Sequence, residues 1–214
     1  MDTELIPHET PQSKRRSLRT RLLAAREALL PEECEQGSAL IRRHLQHAFP
    51  QLASRRVAFC WPIRNEPDLR PLMVAWLAAG QAGFMALLPV AEGPARPLAF
   101  RAWTPDSVMG ADRYGIPCPI DGRSATPEAL LIPLNAFDPQ CYRLGYGGGF
   151  FDRTLAALAE SGVSGVSGSS GPQSRPLAIG VGFELSRVDT VYPQTFDVRL
   201  DAVVTETGVH WPAE

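Results

Sequence analysis

The sequence predicts an α/β protein, a three-layer α/β/α domain with a central, largely parallel sheet. Its 214 residues, of which 44% are hydrophobic, are enough to bury the core of one such domain. Apolar runs of strand length alternate with longer runs of helical spacing, as in sheets whose strands are joined by crossing helices. A glycine-rich segment also stands where an apolar run has ended and a helical run begins. Ligands bind at such junctions in open α/β sheets.

The first predicted helix, Ser13 to Leu30, follows a polar segment. Residues 1–12 lack the basic region and apolar block of a signal peptide, so we expect a flexible tail there. Within the helix, Arg15, Arg19 and Arg26 fall at spacings of four and seven residues, which places three guanidiniums along one edge. On an isolated helix, such an edge is a solvated basic face.

The next predicted elements are a helix, a strand and a second helix. Pro31 to about Ala48 predicts a helix, because proline suits the first turn and acidic residues follow it near the positive helix end. Arg56 to Trp61 is a short apolar strand, and Pro62–Pro67 forms the loop at its carboxyl end. A helix from Asp68 to Ala79 is then closed by Gly80.

The middle of the chain is predicted to be rich in strands. Phe84–Pro89, Pro97–Trp103 and Ala129–Leu134 are apolar runs of strand length. Between the last two, Tyr114–Pro119 contains two prolines, which favour an extended backbone and disfavour pairing inside a sheet. We expect this segment to line a cleft.

Residues 143–153 read RLGYGGGFFDR, with four glycines in five positions and an arginine at each end. Glycine permits positive φ, so successive N–H groups can turn inward as an anion-binding nest, and the following helix adds its positive end. Asp152, in the first helical turn, is suited to cap that helix or to hold a divalent cation. The spacing fits neither a P-loop nor a dinucleotide fingerprint. The plain alternative is a tight strand-to-helix connection.

Beyond the glycine loop the chain returns to the sheet. A helix at Thr154–Ala159 precedes residues 161–176, a Gly/Ser-rich stretch that we interpret as a disordered insertion in a single domain spanning residues 13–214. Leu177–Phe183 and Leu200–Thr205 are the last two predicted strands.

Composition excludes several functional classes. A net charge of −2 gives no overall field for nucleic acid, and no apolar run is long enough to span a bilayer. The four cysteines are widely spaced, and the four histidines form no zinc pattern with them. These features indicate a cytoplasmic protein with reduced thiols and without nucleic-acid or membrane partners, and we expect it to be a monomer.

The glycine loop resembles the signature loop of the 5-formyltetrahydrofolate cyclo-ligase family, also called the 5,10-methenyltetrahydrofolate synthetase family. Further similar pieces occur in the same order along the chain: an N-terminal basic helix, Asn65-Glu66, Tyr114–Pro117, Ile132–Asp138 and Leu200–Glu206. The resemblance implies ATP-dependent cyclisation of 5-formyltetrahydrofolate, with or without a polyglutamate tail, to 5,10-methenyltetrahydrofolate, with ADP and phosphate released.

The resemblance also implies roles for individual residues. Arg143 and Asp152 are the expected catalytic residues, and Asp152 and Asp197 the expected Mg²⁺ ligands. The folate is expected at Trp61, Glu66 and Tyr146. The ATP site is expected to comprise Arg15, Arg16, Ser17, Leu18, Arg19, Arg143, Leu144, Gly145, Tyr146, Gly147, Gly148, Gly149, Phe150 and Phe151.

Three phenylalanines depart from the family pattern. Phe150 and Phe151 replace a frequent tyrosine pair, and Phe196 stands where the family has a histidine. Two alternative functions therefore stay open: a cyclo-ligase-like paralogue with another metabolite as substrate, and a non-catalytic sensor of a phosphate ligand.

We predict that residues 161–176 are dispensable, because loop length has only a small entropic effect on stability and the stretch has few side chains able to pack. Replacement by a short turn that ends in Arg-Pro, as residues 175–176 do, should leave the melting temperature and the turnover close to those of the parent chain. Thermal melting and a turnover assay measure this, and a large loss of either would show that the stretch packs on the domain.

Overall fold

The structure is a computed structural model that describes residues 10–161 and 175–213. Residues 1–9 of the predicted tail and residues 162–174 of the predicted insertion lie outside the described residues. The four helices in the described part are α1 (Pro11–Glu27), α2 (Pro31–Ala48), α3 (Arg70–Ala79) and α4 (Phe150–Glu160). The strands are β1 (Arg56–Ala58), β2 (Met85–Val90), β3 (Ala99–Ala102), β4 (Met109–Ala111), β5 (Pro117–Pro119), β6 (Ala129–Pro133), β7 (Ala136–Phe137), β8 (Arg143–Leu144), β9 (Leu177–Val181), β10 (Ala202–Thr205) and β11 (Gly208–His210).

Seven strands form the central sheet in the order β11-β10-β9-β6-β1-β2-β3. The five inner strands are parallel to one another, and the edge strands β11 and β3 each run antiparallel to the strand beside them. Two short hairpins, β4–β5 and β7–β8, lie outside it. The predicted largely parallel sheet is therefore confirmed.

Helices cover both faces of the sheet, which confirms the three layers. Along β6, Leu131 packs with residues of α2 and α3, whereas Leu130 and Ile132 face the opposite core together with Leu155 of α4. Alternate side chains of a strand point to opposite faces, so a continuous apolar run is required where both faces are covered. Leu22 of α1 packs instead on the β7–β8 hairpin.

Several predicted boundaries were wrong. Helix α1 begins at Pro11, because Thr10 and not Ser13 is the cap: the Thr10 Oγ1 accepts a hydrogen bond from the Ser13 N–H at 3.2 Å. Residues 10–12 of the predicted tail therefore belong to the domain. Helix α4 begins at Phe150, four residues before its predicted start. The first arginine of the predicted loop, Arg143, lies in β8.

The proline-containing segment was predicted only in part. Tyr114, Ile116 and Pro117 do line a cleft, as described below. Pro117–Pro119, however, pairs with β4 as a strand. Proline is compatible with this short two-stranded sheet because Cys118 lies between the two prolines and supplies a backbone N–H.

No helix within residues 10–161 and 175–213 has both the length and the apolar character needed to cross a bilayer. The four cysteines are free thiols in the structure, as the sequence predicted.

Close packing between α2 and the end of β9 yields a stability prediction. A Cβ at Gly37 would stand 2.7 Å from the buried ring of Phe183. Gly37→Ala should gain about 1 kcal/mol from helix propensity but lose about 1 to 3 kcal/mol through overpacking, so a net loss is expected. Chemical denaturation measures the change. The matched control is Gln36→Ala, at an exposed position of the same helix, and equal or higher stability of Gly37→Ala would contradict the prediction.

Candidate active site

One cavity of about 560 Å³ lies at the carboxyl end of the parallel strands. Its lining includes residues just beyond β1 and β2 and the last residue of β6, where open α/β sheets bind ligands. Most of the predicted site residues share this cavity: Arg15, Arg19, Trp61, Glu66, Arg143, Gly145, Tyr146, Gly147, Gly148, Gly149, Phe150, Phe151, Asp152 and Asp197.

The glycine loop turns from β8 into α4 along one wall. Gly147 and Gly149 have φ of +99° and +62°, conformations that a side chain would strain. Gly149 is also the N-cap of α4, and it provides no side-chain cap. The first N–H groups of α4 therefore have no capping side chain, and the positive end of an 11-residue helix lies at the cavity.

Arg19 of α1 reaches this loop. Its Nε donates to the carbonyl of Gly145 at 2.7 Å, and its guanidinium lies beside Gly147, where an added Cβ would stand 3.6 Å from Arg19 Cζ. Burial and the neighbouring Arg15 lower the pKa of Arg19, and Asp197 acts in the opposite direction. Within the described residues, the two terminal nitrogens donate no hydrogen bond. A cation with unused donors therefore faces the loop.

Arg143, which is buried, and Asp152, which is half-buried, form an ion pair next to the loop. The Arg143 Nη1 donates to Asp152 Oδ1 at 3.1 Å and to the carbonyl of Val198 at 3.3 Å. Asp152 Oδ1 also accepts from the Val198 N–H at 3.0 Å. Burial lowers the pKa of Arg143, and Asp152 acts against this. The suggestion that Asp152 caps α4 was wrong, because its carboxylate joins β8 to the segment around Val198 instead.

Asp197 is held by α1. Its Oδ2 accepts from Arg15 Nη1 at 2.5 Å and from the Gln194 N–H at 2.8 Å, and its Oδ1 accepts from Arg15 Nη2 at 3.1 Å. This bidentate geometry is the strong form of an arginine–carboxylate pair. Both oxygens of Asp197 are therefore engaged, whereas Asp152 Oδ2 accepts no hydrogen bond within the described residues.

A second polar group of the cavity is centred on Tyr146 and Glu66. The Tyr146 hydroxyl donates to Glu66 Oε1 at 2.7 Å and accepts from Arg26 Nη2 at 2.6 Å. Glu66 is only 7% exposed, and burial raises its pKa, while Tyr146 and Arg26 act to lower it. Burial and the Glu66 charge raise the pKa of Tyr146. Trp61 also lines the cavity, and the Arg70 guanidinium stacks on it with 4.5 Å between Cζ and the ring centroid.

Aromatic rings complete the lining. Tyr114 packs edge-on against Phe150 with 5.4 Å between ring centroids. Arg153 lies over the Phe150 ring, with its Cζ 5.3 Å from the ring centroid. Phe196 also lines the cavity and is 69% exposed. The replaced family positions therefore present apolar ring surface, which suits planar ligands.

Some predicted site residues do not reach the cavity. Arg16 and Ser17 are exposed on α1, and Leu18 and Leu144 pack in the small apolar cluster beneath the β7–β8 hairpin. Sequence reasoning also missed Arg26 as a site residue, although it extends the spacing of Arg15 and Arg19 by seven residues. That spacing was the available signal.

Comparison with known proteins identifies the lineage. Residues 11–206 match the family described as the 5-formyltetrahydrofolate cyclo-ligase family. The chain belongs to this family. Two 5-formyltetrahydrofolate cyclo-ligases are similar to it: that of Escherichia coli K12, 28% identical over 86% of this chain and 96% of the relative, and that of Mycolicibacterium smegmatis, 33% identical over 68% and 76%.

Solved structures agree with the family assignment. The 5,10-methenyltetrahydrofolate synthetase of Aquifex aeolicus superposes with a TM-score of 0.73 at 26% identity, covering 94% of this chain and 93% of that one. The Mycoplasma pneumoniae synthetase, at 21% identity and a TM-score of 0.65, supports the fold, covering 90% and 98%. Membership in the cyclo-ligase family confirms the resemblance seen in the sequence, the ligase class and, at the level of the family, the predicted reaction.

The position of Arg19 yields a binding prediction for a member of the cyclo-ligase family. Arg19→Gln should weaken ATP binding roughly tenfold or more, because charge-assisted hydrogen bonds to phosphate would be lost, and should change folate affinity less than about twofold. Calorimetric titration of each ligand separately measures this. Arg21→Gln, at an exposed position of the same helix, is the control. Equal weakening of both ligands would show that Arg19 only supports the fold.

Proposed function

We propose that this chain cyclises 5-formyltetrahydrofolate to 5,10-methenyltetrahydrofolate, with ATP as phosphoryl donor and Mg²⁺ as cofactor. One observation carries the proposal. A single cavity joins the glycine loop and its arginines to the Tyr146–Glu66 pair, so a nucleotide and a planar, hydrogen-bonding substrate can lie side by side in it. The family assignment supplies the reaction class.

The phosphate end of the cavity is the glycine-loop wall. Its backbone N–H groups, the positive end of α4 and the unused donors of Arg19 all favour an anion there. Arg143 adds a buried positive charge beside the first turn of the helix. These groups are suited to stabilise negative charge on a phosphoryl group during transfer, which is the main requirement of such reactions.

The described residues fit Mg²⁺ in the way expected of a nucleotide enzyme. They contain no cluster of three or more His, Cys, Asp or Glu side chains able to hold a metal by themselves. Mg²⁺ commonly binds through one or two carboxylates together with substrate phosphates and water. Asp152 is the better metal ligand, because its Oδ2 accepts no hydrogen bond within the described residues while both oxygens of Asp197 are engaged. When bound, the cation would neutralise charge on the phosphates.

The folate end is built from Trp61, Glu66 and Tyr146. The Tyr146 ring is 42% exposed although its hydroxyl is anchored, so a ring face is available for stacking on the pterin. Glu66 lines the cavity and retains lone pairs that can accept pterin N–H groups. Trp61 adds a further aromatic surface.

The chemistry then depends on positioning. The oxygen of the N5-formyl group attacks the γ-phosphorus of ATP, and ADP leaves. The formyl carbon thereby becomes a better electrophile. N10 attacks that carbon and loses its proton, and phosphate departs with the former formyl oxygen. The residues of the cavity hold the reactants in contact and balance charge, which does not require a protein nucleophile.

The direct test is to mix the chain with 5-formyltetrahydrofolate, ATP and Mg²⁺ and to follow the methenyl product by absorbance and ADP by a coupled assay. We expect equal amounts of both products, because each cyclisation consumes one ATP. ADP release only with another metabolite would favour the paralogue. Nucleotide binding without turnover under any divalent metal would favour the sensor.

Asp152→Asn tests the metal assignment. Activity at limiting Mg²⁺ should fall about a hundredfold and recover partly at high Mg²⁺, because the charged metal ligand is lost. The amide can still accept from the Val198 N–H, but Arg143 loses its charged partner, so stability should also fall by about 1 to 3 kcal/mol.

Asp201→Asn is the matched control for Asp152→Asn. Asp201 also accepts from an arginine, Arg175 at 2.7 Å, and from a backbone N–H, that of Ala178 at 2.7 Å, but it does not line the cavity. It should lose stability without any change in the Mg²⁺ dependence. An Asp152→Asn enzyme with the Mg²⁺ dependence of the parent would refute the metal role.

A further inference from the structure

Arg26 is a buried charge that the reaction as described does not use. Its side chain is 1% exposed, and it is among the largest fully buried side chains in the described structure. Taking a guanidinium out of water costs several kcal/mol unless its donors are paired. The contacts of Arg26 therefore indicate what this charge is kept for.

The donors of Arg26 join four segments of the chain. Its Nε donates to the carbonyl of Arg64 at 3.0 Å, and its Nη1 donates to the carbonyl of Leu134 at 3.0 Å. Its Nη2 donates to the Tyr146 hydroxyl at 2.6 Å and lies 3.8 Å from Glu66 Oε1. Arg26 thus fixes α1 to the loop after β1, to the end of β6 and to the glycine loop.

The direction of these hydrogen bonds sets the position of one proton. Arg26 has only donors, so the Tyr146 oxygen must accept from it. The single proton of that hydroxyl is then free to point at Glu66 Oε1, 2.7 Å away. Glu66 Oε2 accepts separately from the Ile63 N–H at 3.2 Å. The carboxylate is thereby held by one donor on each oxygen.

We propose that Arg26 is a positioning residue for substrate: through Tyr146 it orients Glu66 and keeps that carboxylate ionised toward the cavity, where it accepts N–H groups of the pterin. This role rests on the proposed function for the identity of the ligand. A neutral carboxylic acid at this place would offer a donor where the pterin also offers donors, so ionisation decides recognition.

Four groups face Glu66 from the elements around it: Arg26 on α1, Arg64 in the loop, Tyr146 in the glycine loop and Cys60 beyond β1. Burial raises the pKa of Glu66, and both arginines and Tyr146 lower it. Loss of Arg26 therefore raises the pKa further. Because the charged form binds, folate affinity should then decline on acidification at a higher pH than in the parent chain, and recover as the pH rises.

The decisive experiment follows the ¹³C chemical shift of the Glu66 carboxyl carbon against pH in the ligand-free full chain. Its titration midpoint should rise by about one pH unit or more in Arg26→Gln, and also in Tyr146→Phe, which retains the ring but removes the relay. An unchanged midpoint in either folded variant overturns the proposal. If Arg26→Gln does not fold, Tyr146→Phe alone decides it.

A second readout is calorimetric binding of 5-formyltetrahydrofolate and of ATP across the pH range above the ordinary carboxyl pKa, up to about pH 8. Arg26→Gln should weaken folate about tenfold at the acidic end and less at the basic end, with ATP changed less than about twofold. A loss of folate affinity that is equal at every pH would mean that Arg26 only stabilises the fold, and would overturn the proposal.

Arg42→Gln is the matched control for both readouts. Arg42 on α2 also donates to a backbone carbonyl, that of Asp68 at 2.9 Å, and it donates to the Glu35 carboxylate, but it forms no hydrogen bond or ion pair with Glu66 or Tyr146 within the described residues. It should lower stability without moving the Glu66 midpoint. If the parent chain binds no 5-formyltetrahydrofolate, the proposed function fails, and the Glu66 titration still decides whether Arg26 controls this carboxylate.

Discussion

Pairing of arginines that lie largely out of water is the constraint on which the cavity depends. Arg143 is compensated by Asp152 and a carbonyl, Arg26 by two carbonyls and Tyr146, and Arg15 by Asp197. Each compensating group comes from a different segment than its arginine. The bonds that make these charges tolerable are therefore the same bonds that bring the walls of the cavity together.

This arrangement also suits the phosphate ligand that we propose for the cavity. Guanidiniums already fixed by protein acceptors lose little side-chain entropy when a ligand arrives, and the glycine loop offers N–H groups from a backbone whose conformation is set by Gly147 and Gly149. Arg19 differs from its neighbours because only its Nε is engaged within the described residues. A site of this kind separates fixed structural charges from one that remains available.

The sequence was sufficient where local chemistry decides the outcome. Continuous apolar runs predicted buried parallel strands, and the glycine cluster predicted a strand-to-helix turn with glycines at positive φ, because both signals act over a few residues. Boundaries were less well predicted. Ser13 has the right chemistry for a helix cap, but Thr10 followed by proline has it too, and only the folded chain shows which of them is used.

Long-range pairing could not be predicted from residue patterns. Asp152 stands in the first turn of a helix, where an acid normally caps, yet it serves the N–H of Val198, 46 residues later. Likewise the partner of Arg15 is 182 residues away, so the basic edge of α1 could not be distinguished from a solvated face by spacing alone. The resemblance to a family filled this gap for Arg15 and Arg19. It did not do so for Arg26.

The same separation along the chain has a consequence for biosynthesis. Helix α1 is translated long before Gly145, Tyr146 and Asp197, which its arginines contact across 120 to 182 residues. Until those segments emerge, Arg15 and Arg19 lack these partners and Arg26 lacks Tyr146, and an isolated helix of this length is only marginally stable. Loop closure over such distances comes late in folding. The sheet is therefore able to form before the cavity exists, and docking of α1 becomes the step at which the nascent chain acquires the nucleotide site that we propose.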